Sequence, residues 1–421
     1  MELKSGFKRS EVGVIPVDWT VAKLGAHATF KTGPFGSALH KSDYVHGGIP
    51  LINPMQIEDG KIVPTPSMAI SAAAAVELAA FCVEPGEIVI GRRGEMGRCA
   101  LVLPEQQGWL CGTGSMIIRA KASLDGGFAQ RLLSSPSVIS AIENSSVGTT
   151  MINLNQGTLS NLLLPIPPKK AEQEAIAEAL SDADALIESL EQLLVKKRQI
   201  KQGTMQELLT GKRHLPGFDG VWQLKRLGDC AVLKARIGWQ GLTTAEYRDS
   251  GDYVLVTGTE FKNGYVDWTR CYFVDELRYR QDSNIQLRER DVLVTKDGTI
   301  GKIALIAELP FPATLNSGVF VIRPKAAAFD PAFFYFLLCS AVFADFLAQL
   351  SAGSTISHLY QKDFVGFAFS TPPSIAEQTA IATILSDMDA EIAALESRLT
   401  KARHIKQGMM QQLLTGQIRL V

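Results

Sequence analysis

The chain says the same thing twice. Ala171-Glu172-Gln173 returns as Ala376-Glu377-Gln378, and Leu180-Ser181-Asp182 returns as Leu385-Ser386-Asp387. Ile200-Lys201-Gln202-Gly203 becomes Ile405-Lys406-Gln407-Gly408, and Leu208-Leu209-Thr210-Gly211 becomes Leu413-Leu414-Thr415-Gly416, always 205 residues later. Between Pro167 and Gly211 roughly two-thirds of positions match their partners. A duplication this regular binds the fold tightly, because whatever one copy builds the other must also build. Weaker echoes lie outside it. Trp19 with Leu24-Gly25 answers to Trp222 with Leu227-Gly228, and Gly86-Glu87-Ile88-Val89-Ile90 answers to Arg290-Asp291-Val292-Leu293-Val294. The layout is therefore a variable segment at 1–166, a near-constant one at 167–211, a second variable segment at 212–371 and a second constant one at 372–421.

Each constant segment begins after a proline pair, Pro167-Pro168 or Pro372-Pro373, which forbids helix before it and suits a first turn after it. Apolar residues then step by fours and threes through Ile176, Leu180, Ala183, Ile187, Leu190 and Leu194. The copy runs Ile381, Leu385, Met388, Ile392, Leu395, Leu399 and Ala402. That period specifies a supercoiled seam, and two such seams in one chain have an obvious partner in each other. The simpler alternative packs each helix only on its neighbouring domain. The first helix is acidic early (Glu172, Glu174, Glu178, Asp182, Asp184) and basic late (Lys196, Lys197, Arg198, Lys201), and the second ends with Lys401, Arg403 and Lys406. Antiparallel pairing sets acidic starts beside basic ends, so an antiparallel coiled coil with an approximate twofold axis is expected. Some 35–39 helical residues make a rod of roughly 50–58 Å. Such a spacer suits two readers placed one or two turns of duplex apart, a turn being about 34 Å.

The variable segments carry short β-branched runs: Glu87–Ile90, Ser115–Ile118, Asp252–Val256, Asp291–Val294 and Gly318–Ile322. Apolar helical stretches lie near 127–142 and 329–350. The fold class expected is α+β: two mixed domains, each with a twisted, mostly antiparallel sheet and helices on one side, separated by the two long helices. Three loops per domain carry candidate nucleic-acid contacts. The first holds Lys31, Thr32 and Ser37, matched by Lys234, Arg236, Trp239 and Gln240. The second holds Arg92, Arg93 and Arg98, matched by Lys296, Asp297, Thr299 and Lys302. The third holds Thr149, Thr150, Asn153 and Asn155, matched by Ser354, Thr355, Ser357, His358 and Tyr360. Arg or Lys can bond the guanine edge, Asn or Gln the adenine edge, and Ser or Thr either bases or phosphates. Positions that repeat, such as the glycines and Gln156/Gln361, fit a scaffold. Positions that differ, Arg93 against Asp297 and Asn153 against Ser357, fit readout.

Catalytic patterns fail. Gly91-Arg92-Arg93-Gly94-Glu95-Met96-Gly97 has neither dinucleotide nor P-loop spacing and reads as a strand–strand turn. Asn53-Pro54-Met55-Gln56 lacks the second proline and aromatic of an amino-methyltransferase loop, and Glu260-Phe261-Lys262 is a lone Glu-x-Lys. The six cysteines are scattered without a Cys-x-x-Cys pair, and the six histidines form no ligand pairs, so neither zinc nor another metal is expected. No apolar run of about 18 residues suggests a membrane span. The start, Met1-Glu2-Leu3-Lys4-Ser5, lacks the core of a signal peptide, so a cytoplasmic location is expected. Net charge is −1 and each variable segment is close to neutral. Proteins that grip DNA unaided are usually basic, so this balance counts against an autonomous DNA binder and suits one whose partner subunits supply much of the phosphate contact.

Assembled, these features resemble the specificity subunit of type I restriction–modification enzymes along essentially the full length. The resemblance rests on Ile15-Pro16 with Trp19, on Gly148-Thr149-Thr150, and on the repeated Pro-Pro…Ala-Glu-Gln…Leu-Leu-Thr-Gly block. It implies two target-recognition domains, each reading half of a bipartite site in double-stranded DNA, with two methyltransferase subunits docked on the helices. An endonuclease/translocase subunit can join. S-adenosylmethionine, ATP and Mg would belong to those partners, with no cofactor and no catalysis in this chain. The alternatives are a specificity subunit of another phage-defence methylation system and a non-catalytic protein scaffold.

Overall fold

Apolar runs such as Ile88-Val89-Ile90 and Val319-Phe320-Val321-Ile322 do not alternate with polar residues, so a strand built from them must be covered on both faces. The computed structural model, which describes residues 5–34, 38–145, 153–237, 240–351 and 358–420, meets that demand in each of two compact units. The first unit comprises 1–191 with 397–421, and the second 192–396.

In the first unit four antiparallel strands lie in the order Cys99–Leu101, Ile88–Gly91, Ser115–Ala120, Ala28–Thr32. Ile88, Ile90, Met116 and Ile118 face the helix Gly126–Leu133, through Phe128 and Leu132, and also Ile176 and Leu180. The opposite face, Val89, Ala100 and Ile117, packs against Ile52, Ile57 and Cys111. Part of that second layer is a small sheet in which Leu110–Cys111 runs parallel to Ile49–Ile52. The second unit repeats the plan with strands in the order Ala231–Lys234, Val319–Pro324, Val292–Thr295, Ile303–Leu305. Val292, Val294, Phe320 and Ile322 face Phe333, Phe336, Ile381 and Leu385. Leu293, Val319 and Val321 face Val254, Val256 and Leu315. The α+β class is as the sequence implies. The small sheet is an added layer that a picture of helices on one side omits, although the unbroken apolar runs called for it.

The two long helices are Lys170–Leu208 and Ile375–Leu413, 39 residues each. They run antiparallel. In the first unit the start of the first helix lies beside the end of the second; in the second unit the end of the first lies beside the start of the second. Lys406 reaches Asp184 at 2.5 Å and Arg403 reaches Glu191 at 2.6 Å in the first unit. Their repeat equivalents in the second unit, Lys201 with Asp389 and Arg198 with Glu396, stand at 2.5 and 2.6 Å. These are the acidic-to-basic contacts that the charge pattern demands. The exposed pairs, Arg403–Glu191 and Arg198–Glu396, contribute at most about 1 kcal/mol each, so they set direction more than stability. Along the seam Leu190, Leu194, Leu395 and Leu399 are buried, while Ile187, Met388 and Ile392 are half-buried. Ile176, Leu180, Ile381 and Leu385 are fully buried in the lobe cores, so the first turns of each helix also serve the domain before them.

The repeated motifs now have physical jobs. Gln173 accepts from the Asp125 amide at 2.8 Å and donates to the Ser123 and Pro167 carbonyls at 3.2 and 3.0 Å. Gln378 accepts from the Asp330 amide at 2.8 Å and donates to the Pro372 carbonyl at 2.9 Å. Each buried amide thus ties a helix start to the loop that caps the domain's own helix, since Asp125 and Asp330 are themselves N-caps. The neighbouring Glu172 and Glu377 are fully buried. Glu172 binds Arg419, and Glu377 accepts from the His214 ring at 2.9 Å and from the Leu215 amide at 3.2 Å. His214 and Arg419 stand 205 residues apart, so one clasp is made twice with different partners. At the far end of each helix, Gly211 and Gly416 take φ of +73° and +68°, the left-handed helix-ending conformation. A β-carbon on Gly416 would sit 2.5 Å from Pro16 and 3.1 Å from the Trp19 ring; one on Gly211 would sit 3.0 Å from the Trp222 ring. The tryptophan of each lobe is therefore closed by the Leu-Leu-Thr-Gly of the other copy.

Candidate nucleic-acid interface

In both units, among the described residues, backbone and side-chain bonds tie the second and third predicted loops to each other and to the strand that leads into the first. In the first, the amide of Leu154 donates to the Arg92 carbonyl at 2.9 Å and Arg92 Nε returns a bond to the Leu154 carbonyl at 3.0 Å. Gln156 Nε2 then donates to Thr32 Oγ1 at 3.0 Å. In the second, the Leu359 amide donates to the Lys296 carbonyl at 2.8 Å, and Gln361 Nε2 donates to the Leu233 carbonyl at 3.3 Å. Gln156 and Gln361 act as staples between loops, in keeping with their recurrence at equivalent positions.

The candidate residues fall into groups on this surface. Arg93, Asn153, Lys234, Thr299 and Lys302 are exposed. Arg98 is exposed and paired with Glu95 at 2.7 Å. Arg92 is half-buried, and burial followed by the charge of Arg93 lowers its basicity. Lys31 lies 4.8 Å over the Phe81 ring and Lys296 5.3 Å over Phe320, so both ammonium groups are held rather than free to swing. Asn155 caps the short helix Gln156–Asn161 by accepting from the Thr158 amide at 2.9 Å, which occupies the oxygen expected to read a base. Asp297 is exposed and joined to the ring of His358, which packs 4.6 Å from Tyr360. Gln240 is half-buried with its Oε1 enclosed and unpartnered among the described residues. Ser37, Thr149, Thr150, Trp239, Ser354, Thr355 and Ser357 lie outside the described residues. The constant offset of 205 pairs Asn153 with His358 rather than with Ser357.

Arg236 departs from its expected role. It is 1% exposed, donating to the Leu315 carbonyl at 2.8 Å, to Thr314 at 3.2 Å and to Gln281 at 3.3 Å. Its guanidinium is consumed inside the lobe, and burial lowers its pKa from the ordinary value. The cause is local. Residues 235–236 turn inward beside the strand Ala313–Leu315, where a long polar side chain can satisfy the Leu315 carbonyl. Glu260, from the lone Glu-x-Lys, is likewise a structural clamp: 2% exposed, it accepts from the Thr257 and Gly258 amides at 3.1 and 2.9 Å. Tyr247, whose hydroxyl receives Asn316 Nδ2 at 2.5 Å, is marked by nothing in the local sequence. Burial pushes the thiols of Cys99 and Cys111 up to about 12, which leaves them unreactive near neutral pH. Among the described residues no cluster of His, Cys, Asp and Glu could hold a metal, and no single helix is long and apolar enough to cross a membrane.

What two such lobes define is a class of duplicated reader: one scaffold made twice, carrying unlike loop residues, with no catalytic constellation among the described residues. Two stretches of the chain, residues 16–198 and 220–402, match the family model described as type I restriction modification DNA specificity domain, and the chain belongs to that family. A putative type I restriction enzyme MjaX specificity subunit of Methanocaldococcus jannaschii is 24% identical over 434 residues, covering 99% of this chain and 97% of that one. The EcoBI specificity subunit of Escherichia coli is 26% identical over 303 residues, covering 68% of this chain and 63% of that one. The crystal structure of the S subunit of a type I restriction–modification system from M. genitalium superposes with a TM-score of 0.61 at 18% identity, covering 98% of each chain. The chain is a specificity subunit, not an enzyme.

Proposed function

We propose that each lobe reads one half of a bipartite DNA site through its three-loop surface, and that the antiparallel helices fix the distance between the halves. The carrying observation is the stapling of loops far apart in sequence into one surface, made twice on a repeated scaffold with different exposed residues. On this reading Arg93, Asn153, Lys234, Lys296, Asp297, Thr299, Lys302, His358 and Tyr360 meet DNA. Arg236 and Asn155 support the surface without touching bases. The recognition domains are residues 1–166 and 212–371, and the spacers 167–211 and 372–421.

Two methyltransferase subunits dock on the helices, and an endonuclease subunit joins when present. S-adenosylmethionine, ATP and Mg then reside on those partners, in the cytoplasm. The near-neutral charge supports this division of labour, because it leaves phosphate neutralisation to other subunits. Exchange of residues 222–371 for those of another family member tests the reading. Methylome sequencing is expected to show one half of the modified sequence changed and the other kept; a change in both halves rejects independent reading by the two lobes.

A further inference from the structure

The two surfaces differ most sharply at one pair of equivalent positions. Where the first lobe has Arg93 and Asn153, the second has Asp297 and His358. In the first lobe the two side chains form no mutual ion pair by their chemistry: one is a fixed cation and the other a neutral amide. In the second they are bonded to each other. His358 Nδ1 contacts the Asp297 carboxylate, and the two backbones also meet as an isolated β-bridge. Both side chains stay open to solvent, 28% for His358 and 43% for Asp297. A carboxylate on a surface that faces phosphate is repelled unless a cation accompanies it, and imidazole is the side chain that gains or loses that charge between about pH 5 and 8.

Resting on the reading of this surface as DNA-facing, we propose that Asp297 and His358 act as one base-reading pair in the second half-site, and that the pair makes the second lobe's grip on DNA depend on pH. With Nδ1 held by Asp297, the ring offers Nε2, on its opposite side, to the groove. When protonated, Nε2–H donates to an acceptor edge, O6 or N7 of guanine, and the imidazolium cancels the carboxylate charge. When neutral, that donor is lost and the pair turns a net negative charge toward the backbone. The other charged and titratable groups around the pair are Lys296, held over Phe320, the Tyr360 ring against His358, and Lys362, held 5.5 Å over Tyr360. Of these groups only His358 is an imidazole. Asp297 is a positioning residue acting through His358.

The test uses the complex of this chain with its methyltransferase, a duplex carrying the modified site, and fluorescence anisotropy from about pH 6 to 8.5. Loss of one compensating charge at roughly 0.15 M salt should weaken binding about fivefold as pH rises, from the counterion-release slope. His358→Gln should flatten that profile and relax one base of the second half-site in the methylome, with the first half-site untouched. Asp297→Arg combined with His358→Asn, which installs the first lobe's residues, should bind without pH dependence and with a changed base at the same position. If His358→Gln keeps both the wild-type pH profile and the wild-type methylated sequence, the pair is not a reader. If the double variant retains the wild-type profile, the pH claim fails as well. Should the wild-type complex show no sequence-selective binding at all, the DNA-facing reading of the surface falls, and the pair with it.

Discussion

Arg419→Ala should weaken the first unit out of proportion to a change so near the end of the chain. The guanidinium bonds the carboxylate of Glu172, which is 0% exposed, and reaches Asp18 at 2.9 and 3.0 Å. It also lies 5.9 Å from the Trp19 ring. Truncation leaves the buried Glu172 side chain without its partner, a loss of about 3–5 kcal/mol where both groups are buried. Arg419 is itself 33% exposed, so water can reach the vacated site and the cost falls to the lower end, about 3 kcal/mol. The exposed pair with Asp18 adds less than about 1 kcal/mol. Native-state hydrogen exchange on the segments around Trp19 and Glu172 reads this change in one unit without assuming that the whole chain unfolds at once. Glu172→Gln in the Arg419→Ala background should recover a good part of the loss, since a neutral amide no longer needs a cation. Hydrogen bonding from Arg419 holds the Asp18 carboxyl below its usual value. A depressed carboxylate stabilises above its unfolded pKa of about 3.9 and ceases to as pH falls through the folded value. That acid sensitivity should shrink in Arg419→Ala. A loss below about 1 kcal/mol, with no recovery by Glu172→Gln, would refute the claim that this clasp closes the first lobe.

Gly416→Ala should cost about 1–3 kcal/mol in the same unit, because it combines strain at positive φ with a contact 2.5 Å from Pro16, and thermal unfolding reports it. Gly408→Ala, in open space within the helix Ile375–Leu413 that precedes Gly416, is the control and should be neutral or slightly stabilising. Arg236→Ala and Arg93→Ala should part company. The first removes three hydrogen bonds from a buried site and should lower the second unit's stability by about 2–3 kcal/mol. The second should leave stability unchanged within about 0.5 kcal/mol while relaxing one base of the first half-site, as methylome sequencing would show.

The architecture could be read from the sequence wherever a physical constraint acts locally. Pro167-Pro168 and Pro372-Pro373 mark where helix cannot extend backward, and the helices begin at Lys170 and Ile375. All five apolar runs are strands, since β-branched residues between turn glycines have few other options. The charge gradient along each helix predicts its antiparallel partner, and Lys201–Asp389 with Lys406–Asp184 are that gradient made into contacts. What could not be read was anything decided by long-range packing. Arg236 looks like Lys234 in sequence, two residues away, yet one is buried and the other exposed, because the chain dives under a strand nearly 80 residues later. Asn155 and Asn153 are likewise equivalent by composition. Only the helix that starts at Gln156 makes one of them a cap.

The duplication explains more than economy of design. Each constant segment carries two motifs that are never satisfied by the lobe nearest in sequence alone. Ala-Glu-Gln serves the domain before it, whereas Leu-Leu-Thr-Gly closes the tryptophan of the other copy's domain. A constant segment therefore has to fit both lobes through motifs that the two copies share, which holds Trp19, Trp222 and the buried Glu–Gln pairs to similar geometry. The loop surfaces bear no such obligation. Only Gln156 and Gln361, with the backbone bonds of Leu154 and Leu359, must be kept for the three loops to stay together. The exposed side chains on those loops can change without disturbing the core, as Arg93 and Asn153 against Asp297 and His358 already show within one chain, whereas the buried Arg236 cannot. Independent variation of two readers on one repeated scaffold thus follows from where the shared motifs make their contacts.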